Sequence, residues 1–113
     1  MDVTAATTKP KVLLANEPRS YREAIAGVLR ALRPDLEVAE TEQAALDHEL
    51  RRGVPHLVIC SRATRAVQVA APSWVELYTD HGPLSSVSIR RERSAVEGME
   101  MADLLRIVDR ALL

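Results

Sequence analysis

Asn16 and Glu17 stand where one short apolar run ends, Val12-Leu13-Leu14-Ala15, and Ser61 ends another, Leu57-Val58-Ile59-Cys60. Thr79 closes a third, alternating run that begins at Trp74. An amide, a carboxylate and two hydroxyls at strand ends could ligate a small polar molecule, because open α/β sheets bind ligands in the crevice outside the carboxyl ends of their strands. Covalent chemistry asks for more. Serine attacks poorly near neutral pH unless a base takes its proton, and no motif places a base beside Ser61. Cys60, the one cysteine, closes an apolar run and is expected to act as a small buried hydrophobe. A single thiol makes no intramolecular disulfide and no multi-cysteine zinc site. His48, His56 and His81 lie in separate segments without metal-ligand spacing, so neither a metal nor another cofactor is expected.

Charge offers a second kind of chemistry. Arg19, Arg22, Arg30 and Arg33 fall in one sector of a helix and read as a basic stripe opposite its apolar face, fit to steer an acidic protein partner. Arg90-Arg91-Glu92-Arg93 is a second basic cluster. Across the chain, 15 basic residues meet 16 acidic ones for a net charge of -1, which argues against nucleic acid as the partner. Aromatics make up 3%, too few for a platform that stacks single-stranded bases. Two of the three, Trp74 and Tyr78, share one strand face and are expected to form an exposed contact surface, with a homodimer as one use of it.

The elements that must position these residues follow from the apolar pattern. Unbroken runs at 12–15 and 57–60 suit strands buried on both faces, as in a parallel sheet. Between them, Tyr21, Ile25, Val28, Leu29 and Leu32 recur at helical spacing over 19–32. Leu36 and Val38 mark a short second strand, and Ala45, Leu46 and Leu50 a helix over 42–52, with Thr41 as its N-cap and Gly53 after its end. Strand, helix, strand, helix, strand implies a parallel α/β sheet.

The pattern then changes. Residues 62–72 show no helical face. The runs 74–79 and 86–90 alternate, and only residues 80–85 separate them. A parallel crossover needs about a dozen residues or more, so these strands are expected to pair as an antiparallel hairpin. Ala95-Val96 could add a ragged third strand, and Leu104, Leu105, Val108 and Leu112 define a closing helix.

At 113 residues and 47% hydrophobic, the chain can build one aliphatic core without metal or disulfide help. Residues 1–10 read as a flexible lead-in and 11–113 as a single domain. The lead-in lacks the basic start and apolar stretch of a secretion signal, and no apolar run approaches a membrane span. With one thiol, a reducing compartment and a cytoplasmic location are expected.

Val12 to Ile25, Pro34-Asp35-Leu36-Glu37-Val38 and Pro55-His56-Leu57-Val58-Ile59-Cys60-Ser61 together resemble the receiver domain of bacterial two-component response regulators. The stretch from Ala102-Asp103-Leu104-Leu105 is similar to the last receiver helix. The resemblance implies a receiver-like, flavodoxin-like three-layer α/β fold with a central parallel sheet, its second half truncated to the hairpin. It also implies a phosphorylation site, which this chain keeps only in part. Receivers hold magnesium with an acidic pair after strand one, and here the pair aligns with Asn16 and Glu17. The phosphoacceptor aspartate aligns with Ser61, and Thr79 stands in for the switch hydroxyl. The lysine that ends strand five has no counterpart, since Arg90-Arg91 is not an equivalent. The resemblance therefore implies a degenerate pseudo-receiver, not an enzyme, acting in bacterial signal transduction through a protein partner. An atypical phosphoacceptor and a small-ligand sensor are the alternatives.

Overall fold

The computed structural model describes residues 9–77 and 83–112. Tyr78, Thr79 and His81, and all of the expected lead-in except Lys9 and Pro10, lie outside the described residues. The elements run β1 (Lys11–Ala15), α1 (Arg19–Leu32), β2 (Glu37–Glu40), a 3₁₀ turn (Gln43–Ala45) leading into α2 (Leu46–Arg52), β3 (Leu57–Cys60), α3 (Arg65–Ala70), β4 (Ser73–Glu76), β5 (Leu84–Ile89), β6 (Glu92–Glu97) and α4 (Met101–Leu112). They form an α/β structure around one six-stranded sheet of order β2-β1-β3-β4-β5-β6. The sheet is mixed. Pairing is parallel from β2 through β4 and antiparallel from β4 to β6. β4 and β5 pair antiparallel, as the short connection implies, and the strand expected around Ala95-Val96 forms as β6.

Alternation along β1 and β3 divides the core in two. Val12, Leu14, Leu57 and Ile59 pack with Ile25 and Leu29 of α1 and with Leu104, Ile107 and Val108 of α4. Leu13, Ala15, Val58 and Cys60 face the other way and pack with Leu46 and Leu50 of α2, Val67 of α3 and Trp74. Helices thus cover both faces of the central strands, which is why Val12–Ala15 and Leu57–Cys60 carry no polar residue.

Four local expectations need correction. Helix α1 is rolled by roughly 60° from the face its aliphatic residues define. It buries Arg22, Ile25, Ala26 and Leu29, and leaves Leu32 exposed. The small Ala26 lets the helix approach the sheet, and the aliphatic stem of Arg22 serves as apolar surface beside it. Thr41 is not a side-chain cap. Its N–H donates to the Leu14 carbonyl (2.8 Å), prolonging the β1–β2 ladder, and the 3₁₀ turn starts after Glu42 with no side-chain cap. Residues 65–70 do form a helix, too short to display a period. Its one buried residue is Val67, and the Thr64 hydroxyl caps it by accepting the Val67 N–H at 3.2 Å.

The fourth correction concerns Trp74. It is 3% exposed, packed with Ala63, Val67 and Ala71 on the α3 side of the sheet. The expected exposed aromatic surface is therefore absent at Trp74, because short α3 supplies the cover that the sequence pattern hides. The emission maximum of Trp74, the only tryptophan, should lie to the blue of that of the unfolded chain. Trp74→Ala should cost about 3 kcal/mol in urea denaturation, the usual loss for a large buried aromatic. An emission maximum that stays put on unfolding would contradict the burial.

Candidate functional site

The carboxyl ends of β1 and β3 lie side by side, since Ala15 pairs with Cys60. The next residues, Asn16 and Ser61, therefore meet at one edge of the sheet. The Glu17 N–H donates to Ser61 Oγ at 2.9 Å, and the same hydroxyl lies 3.5 Å from the Glu17 carbonyl oxygen. Asn16 is fully buried, and neither its amide nitrogen nor its amide oxygen finds a hydrogen-bond partner among the described residues. The structure brings Asn16, Glu17 and Ser61 together. The Thr79 expectation cannot be placed with them, as it falls outside the described residues.

A guanidinium group organises the β1–α1 loop. Arg22, in the first turns of α1, donates from Nη1 to the Asn16 carbonyl (3.2 Å) and to Glu17 Oε2 (3.3 Å). Its Nε lies 3.7 Å from Glu40 Oε1 at the end of β2. Glu40 in turn accepts from Arg30 Nη1 at 3.1 Å. The two carboxylates nearest the crevice are thus already matched by arginines of the chain itself. Arg19, Arg22, Glu23, Glu40, Thr41, Glu42 and Ala45 line an open hollow of about 490 Å³ beside this network.

The β3–α3 loop is held as firmly. Gln43 accepts from the N–H groups of Ser61 (3.1 Å) and Arg62 (3.0 Å) through Oε1, and donates from Nε2 to the Arg62 carbonyl (2.9 Å). Glu76 Oε2 accepts the Ala63 N–H at 2.8 Å, and the Thr64 hydroxyl donates to Asp47 at 2.6 Å. Sequence reasoning missed Gln43 and Glu76. A residue that acts through tertiary contact leaves no spacing signal, although a glutamine after the β2 run marks a polar group near the strand ends.

The expected basic stripe on α1 does not form as one exposed surface. Arg22 is buried. Arg30 bonds Glu40 and the Val38 carbonyl. Arg33 makes a two-pronged pair with Asp109 of α4, Nε to Oδ1 at 2.7 Å and Nη2 to Oδ2 at 2.8 Å. That bond holds the Asp109 carboxyl below its usual range and raises the guanidinium in step. Arg19 stays exposed and pairs with Glu23. Each of these arginines thus meets a carboxylate of its own chain, Arg19 within α1 and the other three because the helix roll carries them toward β2 and α4.

His56 has a structural part: its Nδ1 accepts the Lys11 N–H at 3.0 Å, and its own N–H donates to the Lys11 carbonyl at 3.0 Å. Burial, with a smaller contribution from Glu76, pushes the Cys60 thiol from an ordinary 9.0 up to about 12. The thiol donates toward the Val75 carbonyl at 3.6 Å and stays protonated, so it is no nucleophile. Among the described residues no group of three or more His, Cys, Asp or Glu side chains is placed to hold a metal ion, and no helix is long and apolar enough to cross a membrane. Comparison with protein-family models, with curated proteins and with solved structures finds no match to this chain.

Two outcomes follow from this geometry. Arg22→Ala should cost about 2 kcal/mol in urea denaturation, because it leaves the Asn16 carbonyl and Glu17 without their shared donor. Arg22→Met, which keeps the stem, should recover part of that loss. Cys60 should resist thiol reagents until the protein is unfolded. The unfolded chain ionises this thiol near pH 9 and the folded chain only near 12, so its contribution to stability is intact below about pH 9 and is lost as pH rises from there. The stability gap between the wild type and Cys60→Ala, followed in urea from neutral pH to about pH 10, should change in that direction.

Proposed function

We propose that this chain is a receiver-like domain that has given up phosphoryl transfer and acts in signalling through protein contacts, as a pseudo-receiver. The reading rests on one observation above others. The hydroxyl of Ser61, at the acceptor position of the resemblance, is engaged by the backbone of Glu17, in the loop that would hold magnesium. Arg22 fixes that same loop from the inside by bonding the Asn16 carbonyl and Glu17. A divalent cation needs carboxylates free to face it, and transfer to serine needs a base. Here the carboxylates face arginines and the hydroxyl serves as a bridge between loops. The order β2-β1-β3 and the helices on both faces support the receiver-like, flavodoxin-like fold on which the reading depends. Its contacts would be made by a protein partner or a second copy at β6, one of the two edge strands of the sheet among the described residues.

The buried Asn16 carboxamide, with both polar atoms unbonded among the described residues, favours a second reading, a small polar ligand at the strand ends. Incubation with a small-molecule phosphodonor and magnesium should leave the intact mass unchanged; a phosphate on Ser61 would identify an atypical phosphoacceptor instead. A thermal-shift screen separates the second reading, since a specific ligand raises the Tm of the native state and an Asn16→Ala variant should lose that rise. Light scattering at rising concentration should show a dimer if β6 pairs with its copy; a monomer throughout leaves the heterologous partner as the signalling contact.

A further inference from the structure

On the face that carries α2 and α3, the sheet continues beyond its last helix into β5 and β6. Trp74 on β4, Ser88 on β5 and Arg93 on β6 stand in one row across three strands, because Trp74 pairs with Ser88 and Ser88 with Arg93. Residues opposite each other on neighbouring strands share a face and touch. The middle side chain of this row is the smallest, so a gap opens between two large neighbours. Arg93 reaches across it and sets its guanidinium 4.8 Å from the centre of the Trp74 ring. Gln68 of α3 and Arg91 of the β5–β6 turn complete the walls of a cavity of about 170 Å³.

Two arginines therefore line one small space, and neither has a carboxylate partner among the described residues. The contrast with α1, where each arginine meets a carboxylate, is plain. The turn itself sharpens the point. Arg90 and Arg91 hold φ at 49° and 74°. A two-residue hairpin turn of this kind prefers Asn-Gly, since an L side chain is disfavoured at positive φ. Arginine at 91 is costly to the fold, yet it places a cation at the mouth of the cavity.

We infer that this cavity binds the phosphate group of a small phosphate monoester. Near neutral pH a monoester carries close to two negative charges, which two guanidinium groups match. Their planar forks present parallel N–H donors at the spacing of phosphate oxygens, which a lone acetate-like anion uses only in part. Ser88 lends a hydroxyl to the wall, while Gln68 is already anchored through Nε2 to the Ala63 carbonyl at 2.9 Å. Arg93 occupies the Trp74 ring face, so a nucleobase has no stacking surface here, and the volume admits a phosphate with only a few further atoms. The cavity lies by the start of β4, at the opposite end of the strands from Ser61, and stands independently of the pseudo-receiver reading.

Trp74 is the built-in reporter. Titration with inorganic phosphate and with glycerol phosphate at fixed ionic strength should change its emission saturably, and calorimetry should show one site. Acetate and chloride at matched ionic strength should give no saturable change. Arg91→Gly and Arg93→Gln should each weaken binding about tenfold in calorimetry, while Ser61→Ala should bind as the wild type does. Both arginines are exposed, so the variants should keep the wild-type far-UV circular dichroism; Arg91→Gly should also melt a few degrees higher, because glycine accepts the positive φ. A response linear in salt, or saturable binding that survives the double replacement of Arg91 and Arg93, would overturn the assignment.

Discussion

Burial of β1 and β3 on both faces is the constraint from which the rest of the structure follows. Val12, Leu14, Ala15 and the whole of Leu57–Cys60 are fully buried. Strands without a wet face cannot lie at the rim of a sheet or under a single layer of helices. They need neighbours on both sides and cover above and below, and α1, α4, α2 and α3 provide it. Polar groups can then appear only where the strands stop. That is why the amide, carboxylate and hydroxyl of Asn16, Glu17 and Ser61 gather at one end, and why so much hydrogen bonding is concentrated there.

The same constraint relaxes toward β6. The connection after β4 is too short for a crossover, so β5 returns antiparallel. Coverage on the α3 side ends at Trp74, and on that face the strands beyond it carry mostly polar residues, Ser86 and Ser88 on β5 and Arg93 and Glu97 on β6. One short piece of chain thus divides the molecule into a half built for close packing and a half with open polar surface. The crevice at Ser61 belongs to the first, and its groups are largely satisfied by one another. The cavity beside Trp74 belongs to the second, and its arginines are not.

Much of this was legible because the strongest sequence signals are those of burial. The two unbroken runs announced the central strands, and the periodicity of residues 19–32 and 101–112 announced the first and last helices. The short link 80–85 announced the hairpin. What stayed hidden had a physical cause in each case. Helix α3 has one buried residue and therefore no period, and without it Trp74 looked uncovered. The roll of α1 depends on an arginine stem acting as apolar surface, which a pattern of residue types cannot express. At the candidate site, the meeting of Asn16, Glu17 and Ser61 followed from strand order alone. Gln43, Glu76 and the inward turn of Arg22 did not, because each acts across loops rather than along one element.

The bond between Arg33 and Asp109 joins positions 76 residues apart and fastens α4 to the end of α1. Helix α4 covers the face of β1 and β3 that carries Val12, Leu14 and Ile59, yet the whole β4–β6 meander comes between them in the chain. During synthesis that apolar face is finished long before its lid exists. The emerging polypeptide must therefore carry a half-roofed sheet through the making of three further strands, in the state where exposed apolar surface and unpaired strand edges invite aggregation. Contacts this distant also slow folding relative to helical bundles of the same size. The Arg33–Asp109 clasp registers the late helix against the early one.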